Sequence, residues 1–289
     1  MKLGIVLGRF TNKKHMDYSR FGDDCYKKIK EHGFDYIDFS MGTANSIAYD
    51  GDWSDLEPLL IKEKQLIKEA GLEISQTHGP WRWPPRDAIP NERVLWKEKM
   101  KRAIRITAFL GCKYCVLHPI FPFTDWDMNF PYVQETYDLN LEFFKDLLQT
   151  AIEYDVTICY ENMPMRRFSL ATPEQILKLV EEINDEHFQI CLDTGHVNVF
   201  DDINLGDEIR RLGKHIKVLH IHDNIYGYDL HLLPKFGTIK WNEVIKALKD
   251  IEFDGVFSLE CYPPISLNDE DFDKMGRTLN QIAKSIINS

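Results

Sequence analysis

Short runs rich in β-branched and aromatic residues return along the chain: KLGIVLG (2–8), FDYIDFS (34–40), LEISQTH (72–78), CKYCVLHP (112–119), DVTICYEN (155–162), FQICLDTGH (188–196), IKVLHIHD (216–223) and GVFSLECY (255–262). Short runs of this composition bounded by turn residues predict strands, eight in all. Between them LEPLLIKEKQLIKEAG (56–71), NERVLWKEKMKRAIRITAFLG (91–111), YVQETYDLNLEFFKDLLQTAIEYD (132–155) and WNEVIKALKDIEF (241–253) carry apolar residues at helical spacing with charged faces opposite. Gly33, Gly71, Gly111 and Gly255 stand where each helix should stop and the next strand begin. Strand and helix alternate without a linker or low-complexity break, which predicts a single α/β domain over 1–289 built as a (β/α)8 TIM barrel. The rival is an open doubly wound sheet. Its commonest version is disfavoured because no G-x-G-x-x-G follows the first strand.

Composition narrows the partners. The 289 residues are 44% hydrophobic and 28% charged, ordinary for a globular chain, with a formal net charge of −11. Bulk charge therefore offers no basic face for nucleic acid, and a small-molecule substrate is the expected partner. The N-terminal MKLGIVLGRF is too short and too quickly polar for a signal peptide or a membrane span, so a cytoplasmic, soluble protein is expected. Six cysteines are scattered, four of them in or beside strand-like runs where a thiol is usually a small buried hydrophobe, and disulfides are not expected. Cys112 and Cys115 form a C-x-x-C, but one pair without a second is a weak signal for zinc or redox chemistry.

A barrel makes a test possible, because its chemistry sits at the C-terminal ends of the strands and in the loops beyond them. Strand three ends at His78, strand four at His118, strand five at Glu161, strand six at Asp193 and His196, strand seven at His220, and strand eight at Glu260. Asp229 and His231 lie further out, after strand seven. Any one of these is ordinarily a capping or hydrogen-bonding residue; six consecutive strands ending this way point to a metal site. Imidazoles mixed with carboxylates suit zinc, manganese or iron, and a carboxylate can bridge two ions where an imidazole cannot.

With these residues in hand, the whole chain resembles the superfamily of xylose isomerase-like barrels, which holds sugar and sugar-phosphate isomerases and epimerases together with the endonuclease IV (AP endonuclease family 2) enzymes. The stretch DLHLLPKFGTIKWNEVIKAL (229–248) resembles the family's D-x-H followed by G-x-I-x-W. The resemblance implies that Glu161, Asp193, His220 and Glu260 hold one divalent ion. It also implies that His78, His118, His196, Asp229 and His231 match the additional ligands by which the endonuclease branch holds three zinc ions. His222 is the alternative to His220, which is favoured because it stands in the family's H-x-x-D register. Two differences set the chain apart from the endonuclease branch: GPWRWPPRD follows the first histidine in place of an aromatic and aliphatic stretch ending in Asn, and DTGH stands where that branch has DTCH.

The expected activity is a metal-dependent sugar or sugar-phosphate isomerase or epimerase. Such a reaction removes a proton from carbon beside a carbonyl, with Glu161 and Glu260 as base and acid, His196 orienting a substrate oxygen, and a divalent ion (zinc or manganese, one to three ions) stabilising the enediolate. The alternative is a zinc-cluster phosphoesterase using the same residues. Trp81, Trp126 and His222 are candidate substrate-binding residues. Trp81, Trp83, Phe121, Phe123 and Trp126 either stack on a sugar or pack a covering loop. Arg82, Arg86, Arg166 and Arg167 either meet an anionic group or are ordinary solvated arginines. Related barrels often pair, so a homodimer is a further expectation.

Overall fold

The computed structural model describes residues 1–10, 17–43, 45–82, 87–122, 133–165, 170–264 and 266–289. Eight strands run in chain order: β1 (Lys2–Gly8), β2 (Tyr36–Ser40), β3 (Glu73–His78), β4 (Tyr114–Leu117), β5 (Thr157–Glu161), β6 (Phe188–Asp193), β7 (Ile216–His220) and β8 (Val256–Leu259). All pair in parallel, in the order β7-β6-β5-β4-β3-β2-β1-β8. The ends meet through a bridge between Ile221 and Leu259, where Ile221 N–H donates to Ser258 O (2.8 Å) and Glu260 N–H to Ile221 O (2.9 Å). That contact brings the sheet round to a barrel, as the alternating pattern predicts.

Helices on the outside bury their apolar stripes against the strands. The helix Pro90–Leu110, for example, turns Trp96, Met100, Ala103, Ile104, Ile106 and Leu110 inward and stops at Gly111, whose φ of 78° gives the left-handed turn into β4. Gly33 and Gly71 stop their helices in the same left-handed region. Gly255 does not: the helix Trp241–Asp250 ends earlier, Glu252 supplies the left-handed residue, and Gly255 instead leaves room for the Phe253 ring. Two expected strands are also shorter than their apolar runs. His118 falls one residue past β4, and the chain after Asp193 winds into a short helix, Thr194–Asn198, that carries His196.

A parallel sheet covered on both faces loses the simple in-out alternation, and β6 is buried at every residue. The barrel interior below the mouth is divided. Val116, Cys159, Cys191 and Val218 form an apolar cluster on one side. On the other, Asp38, Gln76 and Ser258 are fully buried polar residues, and Gln76 Nε2 donates across the barrel to Leu219 O (3.3 Å). All six cysteines are buried free thiols, as expected. Burial pushes Cys112 up to about 12 and Cys115 up to about 11, which removes thiolate chemistry from the C-x-x-C. No helix among the described residues is long and apolar enough to cross a membrane.

Candidate metal and active site

The strand ends converge on one cluster at the barrel mouth. Glu161 is its centre: Oε1 lies 3.1 Å from His220 Nδ1 and 3.5 Å from His196 Nδ1, and Oε2 lies 3.1 Å from His118 Nε2 and 3.5 Å from His78 Nε2. His220 Nδ1 also faces Glu260 Oε2 (3.4 Å) and Asp193 Oδ2 (4.0 Å). Among the described residues several groups of potential ligand atoms result, each spanning no more than 4.8 Å: His78, His118 and Glu161 share Glu161 with Glu161, Asp193, His220 and Glu260, and His196, His222, Asp229 and His231 form a separate outer group. Glu161 and Glu260 come from well-separated strands, yet their carboxylates both reach His220, because inward side chains of a narrow barrel meet near its axis. Burial grades outward: Glu161, Asp193 and His220 are closed off, while the Asp229 and His231 side chains are 31% and 41% exposed.

Each of four imidazoles is anchored through one nitrogen and presents the other. His78 Nδ1–H points at Gly79 O (3.0 Å), His196 Nδ1–H at Asn162 O (2.8 Å), His231 Nδ1–H at Glu260 O (3.0 Å), and His220 Nε2–H at Asp38 Oδ2 (2.9 Å). This network fixes one nitrogen of each ring as a donor and leaves the other as the one that can turn a lone pair to a metal once its proton is displaced, the arrangement found for metal-ligating histidines. Glu161 Oε2 and Glu260 Oε2 are buried without a hydrogen-bond partner. Orphaned carboxylate oxygens beside free imidazole nitrogens are the donor set a divalent ion satisfies, so the residues fit one.

The two glutamates are pushed apart electrostatically. Burial raises Glu161, but the charges of His220 and His118 outweigh it and hold its carboxyl well below the usual range. For Glu260 burial prevails over His220 and His231, and the neighbouring Glu161 and Asp193 add to it, so it is raised. His220 and His196 lie well above their ordinary value despite burial, because carboxylates surround them. Burial lowers His118, while His78 is raised by Glu161 against its own burial.

A family model described as the xylose isomerase-like TIM barrel matches residues 26–278. The chain belongs to this family. Among its relatives, the D-psicose 3-epimerase of Enterocloster bolteae is 26% identical over 269 residues, covering 91% of this chain and 82% of the relative. A probable endonuclease 4 of Mycoplasmopsis agalactiae is 29% identical over 193 residues, covering 62% and 65%. The crystal structure of a D-tagatose 3-epimerase-like protein superposes with a TM-score of 0.74 at 26% identity, covering 100% of this chain and 98% of that one. Both enzymatic branches of the xylose isomerase-like family are thus represented, and the sugar isomerase and epimerase branch covers the greater share of the chain.

The G-x-I-x-W stretch of this family member acquires a physical meaning in the loop that carries Asp229 and His231. Asp223 is fully buried and accepts four N–H bonds, from Asn224 N (3.0 Å), Lys235 N (2.9 Å), Ile239 N (3.1 Å) and Trp241 Nε1 (2.9 Å). A side chain at position 237 would collide with Asp223 Oδ1 and Asn224 O, so the position is glycine. Asn224 completes the tie, its Oδ1 accepting from Leu230 N (2.6 Å) and its Nδ2 donating to Asp229 Oδ1 (3.2 Å). The knot folds residues 224–240 back over the mouth. Aspartate in the H-x-x-D register is therefore the anchor of the outer ligands.

His222 lies beneath the mouth, fully buried, with Nε2 3.0 Å from Asp193 and its ring stacked on His231 at 4.0 Å. Gly195 makes this possible, since any Cβ there would enter the His222 ring. The DTGH spelling is thus coupled to the second histidine of H-x-H. Trp81 is 37% exposed after β3, whereas Phe121 is buried with Met163 and Ala171, a packing role. Arg82 is engaged by Asp87 (2.9 Å) and Glu92 (3.1 Å) and stacks on Trp96, a structural ion pair. Trp83, Arg86, Phe123, Trp126, Arg166 and Arg167 lie outside the described residues. Two contributors were not singled out from sequence: Asp38, and Asn162, whose amide brackets Asp193 through its backbone N–H (2.8 Å) and C=O (3.0 Å).

Proposed function

We propose that the protein, a single domain over 1–289, is a metal-dependent isomerase or epimerase acting on a sugar or sugar phosphate, with Glu161, Asp193, His220 and Glu260 holding the divalent ion. The observation that carries this reading is the convergence of the Glu161, Asp193 and Glu260 carboxylates on His220 Nδ1, with Glu260 Oε2 orphaned. A bound divalent ion supplies stabilisation for the negative charge that develops on substrate oxygens when a proton leaves the neighbouring carbon. The protein's own groups move that proton. Glu161, held ionised, is suited to take it, and Glu260, raised in pKa, is suited to carry one to the other side of the substrate. His196, with Nδ1–H fixed on Asn162 O, turns Nε2 toward the mouth, where it orients a substrate oxygen. The epimerase relatives support a ketose as the substrate class.

Glu260→Gln removes the titrating group and keeps the side-chain shape. Turnover on a panel of ketoses and ketose phosphates should fall by about 10³-fold, within the range for one acid–base group, with the fold unchanged by circular dichroism. Near-full activity would remove Glu260 from that role. A second reading, a zinc-cluster phosphoesterase of the AP endonuclease type, is favoured by one observation: His78, His118, His196, Asp229 and His231 all join the cluster, more ligands than one ion needs. Elemental analysis of protein prepared without chelators separates the two. About one ion per chain supports the isomerase, and close to three zinc ions per chain, with cleavage of abasic DNA, supports the phosphoesterase.

A further inference from the structure

We propose that Asp38, on β2, is a positioning residue that acts through His220 to set how tightly the central position holds its ion. The inference rests on the reading of the mouth as a metal site and concerns a residue outside the ligand set. Asp38 is fully buried, with Oδ2 2.9 Å from His220 Nε2 and 3.1 Å from Gln76 Nε2. Its other oxygen, Oδ1, is buried without a hydrogen-bond partner. Gln76 donates as well to Leu219 O, the residue before His220, so Asp38, Gln76 and β7 form one connected unit across the barrel.

As a structural group Asp38 is a poor choice. A buried carboxylate with an orphaned oxygen costs the fold more than an apolar residue of similar size. The opposite wall at this depth uses Val116, Cys159, Cys191 and Val218. The acid is present where it touches His220, and that contact has a direction: Nε2–H is held toward Asp38, and Nδ1 is the nitrogen left facing Glu161 Oε1 (3.1 Å) and Glu260 Oε2 (3.4 Å). The comparison with the other anchored imidazoles sharpens the point. His78, His196 and His231 lean on neutral backbone carbonyls, and His220 alone of the four leans on a carboxylate. A carboxylate partner raises the basicity of the free nitrogen beyond what a carbonyl does. Of the four anchored imidazoles, the one at the Glu161, Asp193 and Glu260 position thus becomes the strongest nitrogen donor, and Asp38 is the cause.

The test uses the full chain stripped of metal, titrated with Zn²⁺ or Co²⁺ in competition with a chromogenic chelator. Asp38→Ala should weaken the tightest site by about 10–100-fold, the usual cost of losing such an outer partner. Asp38→Asn keeps an acceptor without the charge and should fall between the two. This isosteric variant also carries the test should the alanine variant fail to fold. Two further readouts separate positioning from mere structure: the Co²⁺ absorption bands should shift in both variants, and ¹⁵N shifts of the Zn²⁺-loaded protein should show His220 Nε2–H strongly hydrogen-bonded in the wild type and that bond lost in Asp38→Ala. Wild-type affinity in both variants, with lowered stability of the metal-free protein, would overturn the proposal and leave Asp38 a structural residue. A wild-type chain that takes up no ion would overturn the metal reading itself, and this inference with it.

Discussion

Two buried carboxylate sites at the same barrel mouth are built on opposite principles. Asp223 is saturated: four N–H donors from its own loop and the following helix surround it, and it touches no other titratable group in those bonds. Glu161 and Glu260 are left open, each with an orphaned oxygen and a surround of imidazoles. A saturated carboxylate has nothing to offer a ligand and everything to lose from removal; an unsaturated one is a standing cost to the fold that a ligand relieves. Counting donors around a buried acid therefore separates scaffold from site where residue type cannot.

That contrast is most sharply tested at Asp223. Asp223→Ala strands Lys235 N, Ile239 N, Asn224 N and the Trp241 indole N–H, and should cost about 3–5 kcal/mol in denaturant unfolding of the metal-free chain. Glu260→Gln in the same assay should leave stability near that of the wild type, or raise it, while turnover is lost. An equal loss at both positions would erase the distinction. A smaller effect is expected at Gly195→Ala, where the added methyl must displace the His222 ring from Asp193. Overpacking of this kind costs about 1–3 kcal/mol, read as a lowered unfolding midpoint, and Gly195→Ala combined with His222→Ala should recover part of it. The smallest effect is a pH dependence of the metal-free chain. Burial lowers His231, but its bond to Asp229 and the charges of Glu260 and Asp229 outweigh it and push it up to about 9. A histidine raised in the folded state contributes stability that is complete below its ordinary 6.5 and is lost as pH rises through about 9. Thermal melts of the wild type and His231→Asn should therefore differ at about pH 6 and converge by about pH 10, and a constant gap would sink the assignment.

Much of this was legible in the chain. Eight apolar runs separated by helical segments imply the barrel, and the barrel rule then turns scattered acids and histidines into one cluster, because each ends a strand or follows it. Asp38 was hidden for a reason intrinsic to the fold. In YIDFS, with both faces of the sheet covered, nothing distinguishes an acid turned into the barrel from one turned out. Asp223 marked only a register, since its four partners come from up to eighteen residues downstream and meet it through loop closure. Gly195 looked like a mild variation on a neighbouring spelling until the ring of His222 filled the space above it. Gly255 was misleading, because a helix can stop on a non-glycine residue such as Glu252 in the left-handed region.

The closure of the barrel has a mechanical side. β1 and β2 are stitched along five paired residues, whereas β7 and β8 are joined at the single Ile221–Leu259 bridge. This seam is the place where the wall should breathe first, with the Ile221 and Glu260 amides exchanging faster than those of β1 and β2. His220 and Glu260 stand on either side of it with their donor atoms 3.4 Å apart. Anything that grips both is a clasp on the wall, so occupancy of the mouth should be felt as amide protection along the whole of β7 and β8.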